Sequence, residues 1–203
     1  MKHIVIVTIL SLVGLAGACA SSPETTNKTT NTVATNTASN AATTNTAPKT
    51  DNDAPASVKA VFPDAQSFTT QHKDVSDAQI ASIEKDTDSK VPDKDHHSYL
   101  AFSTAGGARK QVGAATVVKV GDKDVIVVYD NKDGSPVIKE VRADSVPAPF
   151  LAQFAGKGHD NDLLLGADIK ASGANEAQAK AITEAIRVDV LTMQALYGSA
   201  HKH

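Results

Sequence analysis

The chain has 203 residues, 20 Lys and Arg against 23 Asp and Glu, a net charge of −3 and a single Cys. From residue 55 onward, 17 basic residues face 20 acidic ones without forming a basic stripe, which excludes a phosphate-contacting face and with it nucleic acid as a partner. The lone Cys19 excludes an internal disulfide and a thiolate metal site, so stability must come from an apolar core.

Near the N-terminus, Lys2 precedes an apolar run over residues 4–15 that is short for a spanning helix and ends in Ala16-Gly17-Ala18. This is the layout of an export signal, expected over residues 1–18. Cys19 follows at once, and Ala16-Gly17-Ala18-Cys19 resembles the lipobox of bacterial lipoproteins. The resemblance implies cleavage before Cys19, fatty acylation of its sulfur and amine, and a lipid anchor in a cell-envelope membrane. With Ala20-Ser21 rather than Asp after the cysteine, the sorting rule of Gram-negative lipoproteins implies the periplasmic face of the outer membrane. Residues 19–54 are rich in Thr, Asn, Ala and Ser. They hold too little apolar surface to offset ordering entropy and are expected to form a disordered stalk, with ends on the order of 30 Å apart as a random coil. Their composition also suits a glycosylated tether.

The folded domain is expected over residues 55–203, enough for one core. Residues 58–62 form a short segment stopped by Pro63, and residues 67–72 a candidate strand. Ser76 followed by Gln79 is a capping-box signature for a helix whose Ile80 and Ile83 share a face. Residues 86–95, polar and carrying Pro92, read as a loop. Three strands, over 99–104, 113–120 and 125–129, are separated by Gly106-Gly107 and by Gly121-Asp122-Lys123-Asp124, the pattern of an antiparallel meander. Asn131-Lys132-Asp133-Gly134 turns into a strand over 136–141, with Val137, Lys139 and Val141 on one face and Ile138 and Glu140 on the other. That weak alternation places it near a sheet edge. Phe150, Leu151 and Phe154 suit a short helix stopped by Gly156. A long helix over 176–197 ends at Gly198, with Ala181, Ala185, Val188, Leu191 and Ala195 as its apolar stripe. Charges interrupt every apolar run after the signal, so none is expected to span a bilayer. The fold class is α+β, an antiparallel sheet packed by a long C-terminal helix.

Two C-terminal motifs carry a family resemblance. Phe150-Leu151-Ala152-Gln153-Phe154-Ala155-Gly156-Lys157, then Asp168-Ile169-Lys170-Ala171-Ser172-Gly173-Ala174-Asn175, resemble the FMN-binding domain family, which includes the flavin-carrying subunits of the Rnf and sodium-pumping NADH:quinone complexes and stand-alone exported proteins. Phe62-Pro63-Asp64-Ala65, and Gly107 followed by Val112-Gly113, fit its earlier parts, so the likeness spans about residues 58–197. It implies an FMN-binding-domain-like fold and a flavin site at Asp168, Ser172, Gly173, Ala174 and Asn175. In the family, a flavin transferase joins FMN phosphate to a Thr hydroxyl at the position held here by Asn175, whose carboxamide has none. The implied cofactor is therefore FMN held without a covalent bond, or a flavin that has been lost. The implied role is an electron-transfer accessory with a periplasmic redox partner, which need not be an enzyme. The alternative is a cofactor-free scaffold or binding lipoprotein reusing the fold.

Physical reading of the same motif gives Asn175 a second role, since Asn is among the best helix N-caps and Gln178 stands where a capping box needs it. Backbone amides over 173–176 face the positive helix end, where a phosphate is favoured, although Glu176 puts an anion in that turn. Tyr99, Phe102, Phe150 and Phe154 are candidate walls for a flavin ring, and each serves equally well as core. His96-His97 with Asp93 and Asp95, and His159-Asp160 with Asp162, carry metal-ligating types at unspecific spacing. Adjacent loop residues seldom aim at one ion, so no metal is expected. No Ser, His and Asp set stands in a nucleophile context, and Gly106-Gly107 lacks phosphate-loop spacing.

Overall fold

The computed structural model describes the backbone of residues 49–50 and all of residues 54–199. The expected signal segment, Cys19, most of the stalk, His201 and His203 lie outside the described residues. Six strands form one antiparallel sheet in chain order: β1 (Lys49–Thr50), β2 (Ser67–Asp74), β3 (Asp95–Ser103), β4 (Lys110–Val120), β5 (Lys123–Lys132) and β6 (Ser135–Ala143). The helices are α1 (Ala56–Val61), α2 (Asp77–Thr87), α3 (Ala148–Leu151), which runs on into a 3-10 turn Ala152–Phe154, and α4 (Glu176–Tyr197). This is an α+β fold whose antiparallel sheet is packed by its C-terminal helix. No helix among the described residues is long and apolar enough to cross a membrane.

Local chemistry explains the joints. Asp133 and Gly134 link β5 to β6 in a two-residue turn with φ of 53° and 84°, the geometry that matches the twist of paired strands. The Ser76 hydroxyl caps α2 by accepting from the Gln79 amide, while the Gln79 side chain accepts from the Ser76 amide. The polar loop after α2 covers only residues 88–94, because Asp95 and its neighbours already pair with β2. The ordered fold also starts upstream of residue 55: Lys49 and Thr50 pair with Thr70 and Thr69, and Ala54 is buried beside Val58.

Each face of the sheet has its own core. One packs Val125, Val127, Tyr129, Ile138 and Val141 against α3, Phe154 and α4, and the other packs Phe68, Ala101, Ala115, Ile126 and Val128 against Val58, Val61 and Phe62. β6 is an edge strand, as its weak alternation suggests, but its faces differ from strict period two. Val128 pairs with Glu140 and Tyr129 with Ile138, which leaves Lys139 as an extra, bulged residue. The bulge puts Ile138 and Val141 in the same core, where alternation would separate them.

The buried stripe of α4 also differs from the expected one. Of the expected stripe Val188 is buried, Ala185 and Leu191 are half-buried and Ala181 and Ala195 are exposed, and the helix also buries Ala179, Ile182, Ile186, Val190 and Met193 together with Asp189. Burying a large aliphatic side chain stabilises by about 1.5–3 kcal/mol, against far less for an alanine, so the larger side chains set the rotation of the helix. α2 lies beside α4 through Ile83 and Val188.

Gly113 shows how two parts of the family-like pattern meet. A Cβ there would overlap Cε1 of Phe62 and lie 3.0 Å from its Cζ, so the ring of the Phe62-Pro63 motif packs where β4 has no side chain. A second bulge, opposite Ala101 and Phe102, leaves Val112 unpaired and exposed just before this contact.

Candidate functional site

The loop expected to hold flavin is built around Gln153. Its Nε2 donates to the Lys170 carbonyl at 2.8 Å and to Ser172 Oγ at 3.0 Å, and its Oε1 accepts from the Lys170 amide at 2.8 Å. One carboxamide thus ties the Phe150 motif to the Ser172 motif. Ser172 and Gly173 both have positive φ, 45° and 87°, and turn the chain into α4. Asp168, Ser172, Gly173 and Asn175 are exposed and Ala174 is half-buried. The Asp168 carboxylate accepts from the Leu164 amide at 3.4 Å, which closes a turn. Asn175 caps α4 as expected, its Oδ1 accepting from the amides of Ala177 and Gln178 at 3.0 and 3.4 Å. Among the described residues no bond returns from the Gln178 side chain, so the capping box is half made.

These bonds weigh against a phosphate cradle. The Ala174 amide already donates to the Ala171 carbonyl, and two amides of the first turn of α4 are taken by Asn175 itself. Covalent attachment does not fit either, because Asn175, which the resemblance puts at the attachment position, has no hydroxyl and its carboxamide is bonded to its own helix.

A different place in the fold forms a cavity. β3 and β4 pair only from Tyr99 and Ala115 onward in the direction of their hairpin. On the other side of that point β3 continues along β2 and β4 along β5, so the two strands part and the sheet splits. The opening holds a cavity of about 790 Å³, walled by β3, β4, α4 and the loop after α2, with Tyr99, Thr116, Val118, Ala185, Val188 and His96 among its lining. That is within the size range of small-molecule sites.

Asp189 of α4 bridges the split. Its Oδ1 lies 3.1 Å from His96 Nε2 on β3, and its Oδ2 accepts from Thr116 Oγ1 on β4 at 2.6 Å and from Tyr129 Oη on β5 at 2.7 Å. The carboxylate is 8% exposed and the His96 side chain 12%. Complete burial, reinforced by the neighbouring Asp189 charge, pushes the Tyr129 hydroxyl well above its ordinary value and keeps it a neutral donor. Because a carboxylate only accepts, Nε2 of His96 carries a proton. Nδ1 is buried and has no hydrogen-bond partner among the described residues. Among the described residues no Ser or Thr hydroxyl stands bonded to His96, and that of Ser98 is engaged 2.9 Å from Tyr197 Oη.

Sequence order and function diverge here. Of the four aromatic residues considered as ring walls, only Tyr99 lines the cavity. Phe150 and Phe154 are fully buried, ring against ring at 5.5 Å, and Phe102 lies under the Arg109 guanidinium. His96 and His97 are in a strand rather than a loop, and they point to opposite faces of it, His96 to Asp189 and His97 to Asp95. His159 stays with its neighbour Asp160, 3.0 Å away. Asp189 stands outside the apolar stripe expected for α4, and nothing in the local pattern marks it as buried.

None of the protein families, curated proteins or solved structures compared with the chain matches it.

Proposed function

We propose that the chain is a lipid-anchored envelope protein whose domain binds a small molecule without a covalent bond, in the cleft between β3 and β4. The observation that carries this reading is the cavity itself, large enough for a ligand, opened where β3 and β4 part and lined in part by His96, which Asp189 holds through Nε2. The ligand chemistry follows from the walls. Tyr99, Val118, Ala185 and Val188 favour an apolar or planar body. A flavin has such a body, since its tricyclic ring is flat, and the resemblance of the C-terminal motifs makes it the first ligand to try. Bound there, a flavin would supply one- or two-electron chemistry and make the chain an electron-transfer accessory to a periplasmic partner.

The cleft favours riboflavin as much as FMN. Lys90 and Lys119, the basic residues at its rim, are already paired with Glu84 and Asp124. A second reading, a cofactor-free scaffold lipoprotein, is supported by the way Asn175 occupies the first amides of α4.

Titration of the full chain with riboflavin and with FMN, followed by quenching of flavin fluorescence, separates these readings. Similar affinity for both flavins is expected, with loss of binding in Ala185→Trp, which fills the cleft, and no change in Asp168→Asn or Ser172→Ala. Affinity for FMN more than about tenfold above that for riboflavin would place the phosphate on a dedicated anchor and refute the cleft. Absence of quenching with either leaves the cofactor-free scaffold.

A further inference from the structure

On the sheet face opposite His96, three side chains from two strands converge. His72 of β2 and His97 of β3 are directly paired across the ladder, and Asp95, two residues before His97, projects to the same face. The Oδ2 of Asp95 lies 3.1 Å from His72 Nδ1 and 2.9 Å from His97 Nε2. One donor atom from each residue falls within 4.8 Å of the other two. The imidazole rings stand edge to face, 4.2 Å between centroids.

We propose that His72, Asp95 and His97 form a binding site for a divalent late transition ion, Zn²⁺ foremost. Two imidazole nitrogens and one carboxylate oxygen are the donor set that suits Zn²⁺ and Cu²⁺ and disfavours Ca²⁺ and Mg²⁺, which want oxygen. Ligand atoms around a tetrahedral Zn²⁺ with bonds near 2.0–2.1 Å are about 3.3 Å apart, so the carboxylate must withdraw a few tenths of an ångström from each ring and the two ring nitrogens, within 4.8 Å of one another, must settle to that spacing. Strands rather than loops hold the three residues. A bond from the Asp95 amide to Asp93 Oδ1 at 3.1 Å fixes the start of β3, where Asp95 stands. The side chains are 25% to 44% exposed, and Asp95 and His97 also reach the wall of the cleft, so a fourth coordination position is open to solvent or to an exchangeable ligand. Three protein ligands with one open position is the pattern of exchange or chemistry rather than of a closed structural site.

The sequence hides this site because His72 lies 23 residues before Asp95, in another strand, while the conspicuous neighbour His96 faces away. The inference does not rest on the flavin reading, which uses none of these three side chains.

Calorimetric titration of the full chain with ZnSO₄ tests it. One equivalent is expected to bind, with His72→Asn and His97→Asn each weakening the affinity more than about tenfold, the lower end of what loss of an outer-sphere partner alone produces. The double variant His201→Asn/His203→Asn is expected to bind as the wild type does. A readout on the unmodified chain removes dependence on how the variants fold: long-range ¹H–¹⁵N spectra of the imidazoles should show Zn²⁺ shifting Nδ1 of His72 and Nε2 of His97. Absence of binding, shifts confined to other histidines, or undiminished affinity in both His→Asn variants would each overturn the site.

Discussion

Replacing Tyr129 by Phe isolates one bond of the Asp189 bridge while leaving the ring in place. The hydroxyl is fully buried, donates to Asp189 Oδ2 at 2.7 Å, and shares that oxygen with Thr116 Oγ1. A hydrogen bond to a charged group contributes about 1.5–3 kcal/mol, and for a domain of this size each kcal/mol moves the melting temperature by about 2–4 °C. Tyr129→Phe is therefore expected to lower Tm by about 3–12 °C in differential scanning calorimetry at pH 7. Thr116→Val, which keeps the shape of the threonine, should cost a similar amount. Because both hydroxyls serve one oxygen, the double variant should depart from the sum of the singles by more than about 0.5 kcal/mol. Asp189→Ala, which strands two hydroxyls and one imidazole nitrogen, should cost more than either, about 3–5 kcal/mol. A Tyr129→Phe protein that melts within 1 °C of the wild type, or strict additivity with Thr116→Val, would refute the bridge as the element that holds the split sheet together.

Gly113→Ala should destabilise by about 1–3 kcal/mol through overpacking against Phe62, and Phe62→Leu in the same chain should recover part of the loss, both read by chemical denaturation. Deleting residues 22–44 should leave Tm unchanged, whereas deleting 22–54 should lower it, because the longer deletion removes β1 and Ala54. Burial pushes the Asp95 carboxyl up, but hydrogen bonds from His72 and His97 and their charge outweigh it and hold it below its ordinary value of 3.8. Its stabilising effect is therefore present above that value and lost as pH falls through the lower folded-state one. The Tm difference between wild type and Asp95→Asn should accordingly shrink below about pH 4, and also in high salt. Intact mass should show a processed, acylated chain without covalent FMN even when a flavin transferase is co-expressed, and Cys19→Ser should abolish acylation.

Much of the fold was legible because local signals and tertiary packing agree. The Ser76-Gln79 box, the Asp133-Gly134 turn and the start of α4 at Asn175 depend on residues close in sequence, and all three stand where the sequence puts them. The β6 faces did not, because a bulge at Lys139 is decided by pairing with Val128 and Tyr129 and leaves no mark in β6 itself. The α4 stripe was misplaced because alanines trace a tidy pattern that the larger aliphatic side chains outweigh, and because a buried Asp looks like a surface residue until its three donors are seen. The cleft was out of reach for the same reason. It exists where a ladder stops, and its polar groups come from β3, β4, β5 and α4. Asp168, Ser172, Gly173 and Ala174 were easy to single out as a motif, yet in the folded chain they shape a turn clamped by Gln153.

The location of a bound ligand tests the central claim most directly. Backbone ¹H–¹⁵N spectra of the full chain, recorded with and without saturating riboflavin, are expected to show the largest shifts at Tyr99, Thr116, Val118, Ala185 and Val188, with residues 168–175 unmoved. Shifts concentrated at 168–175, with the cleft residues unmoved, would contradict it.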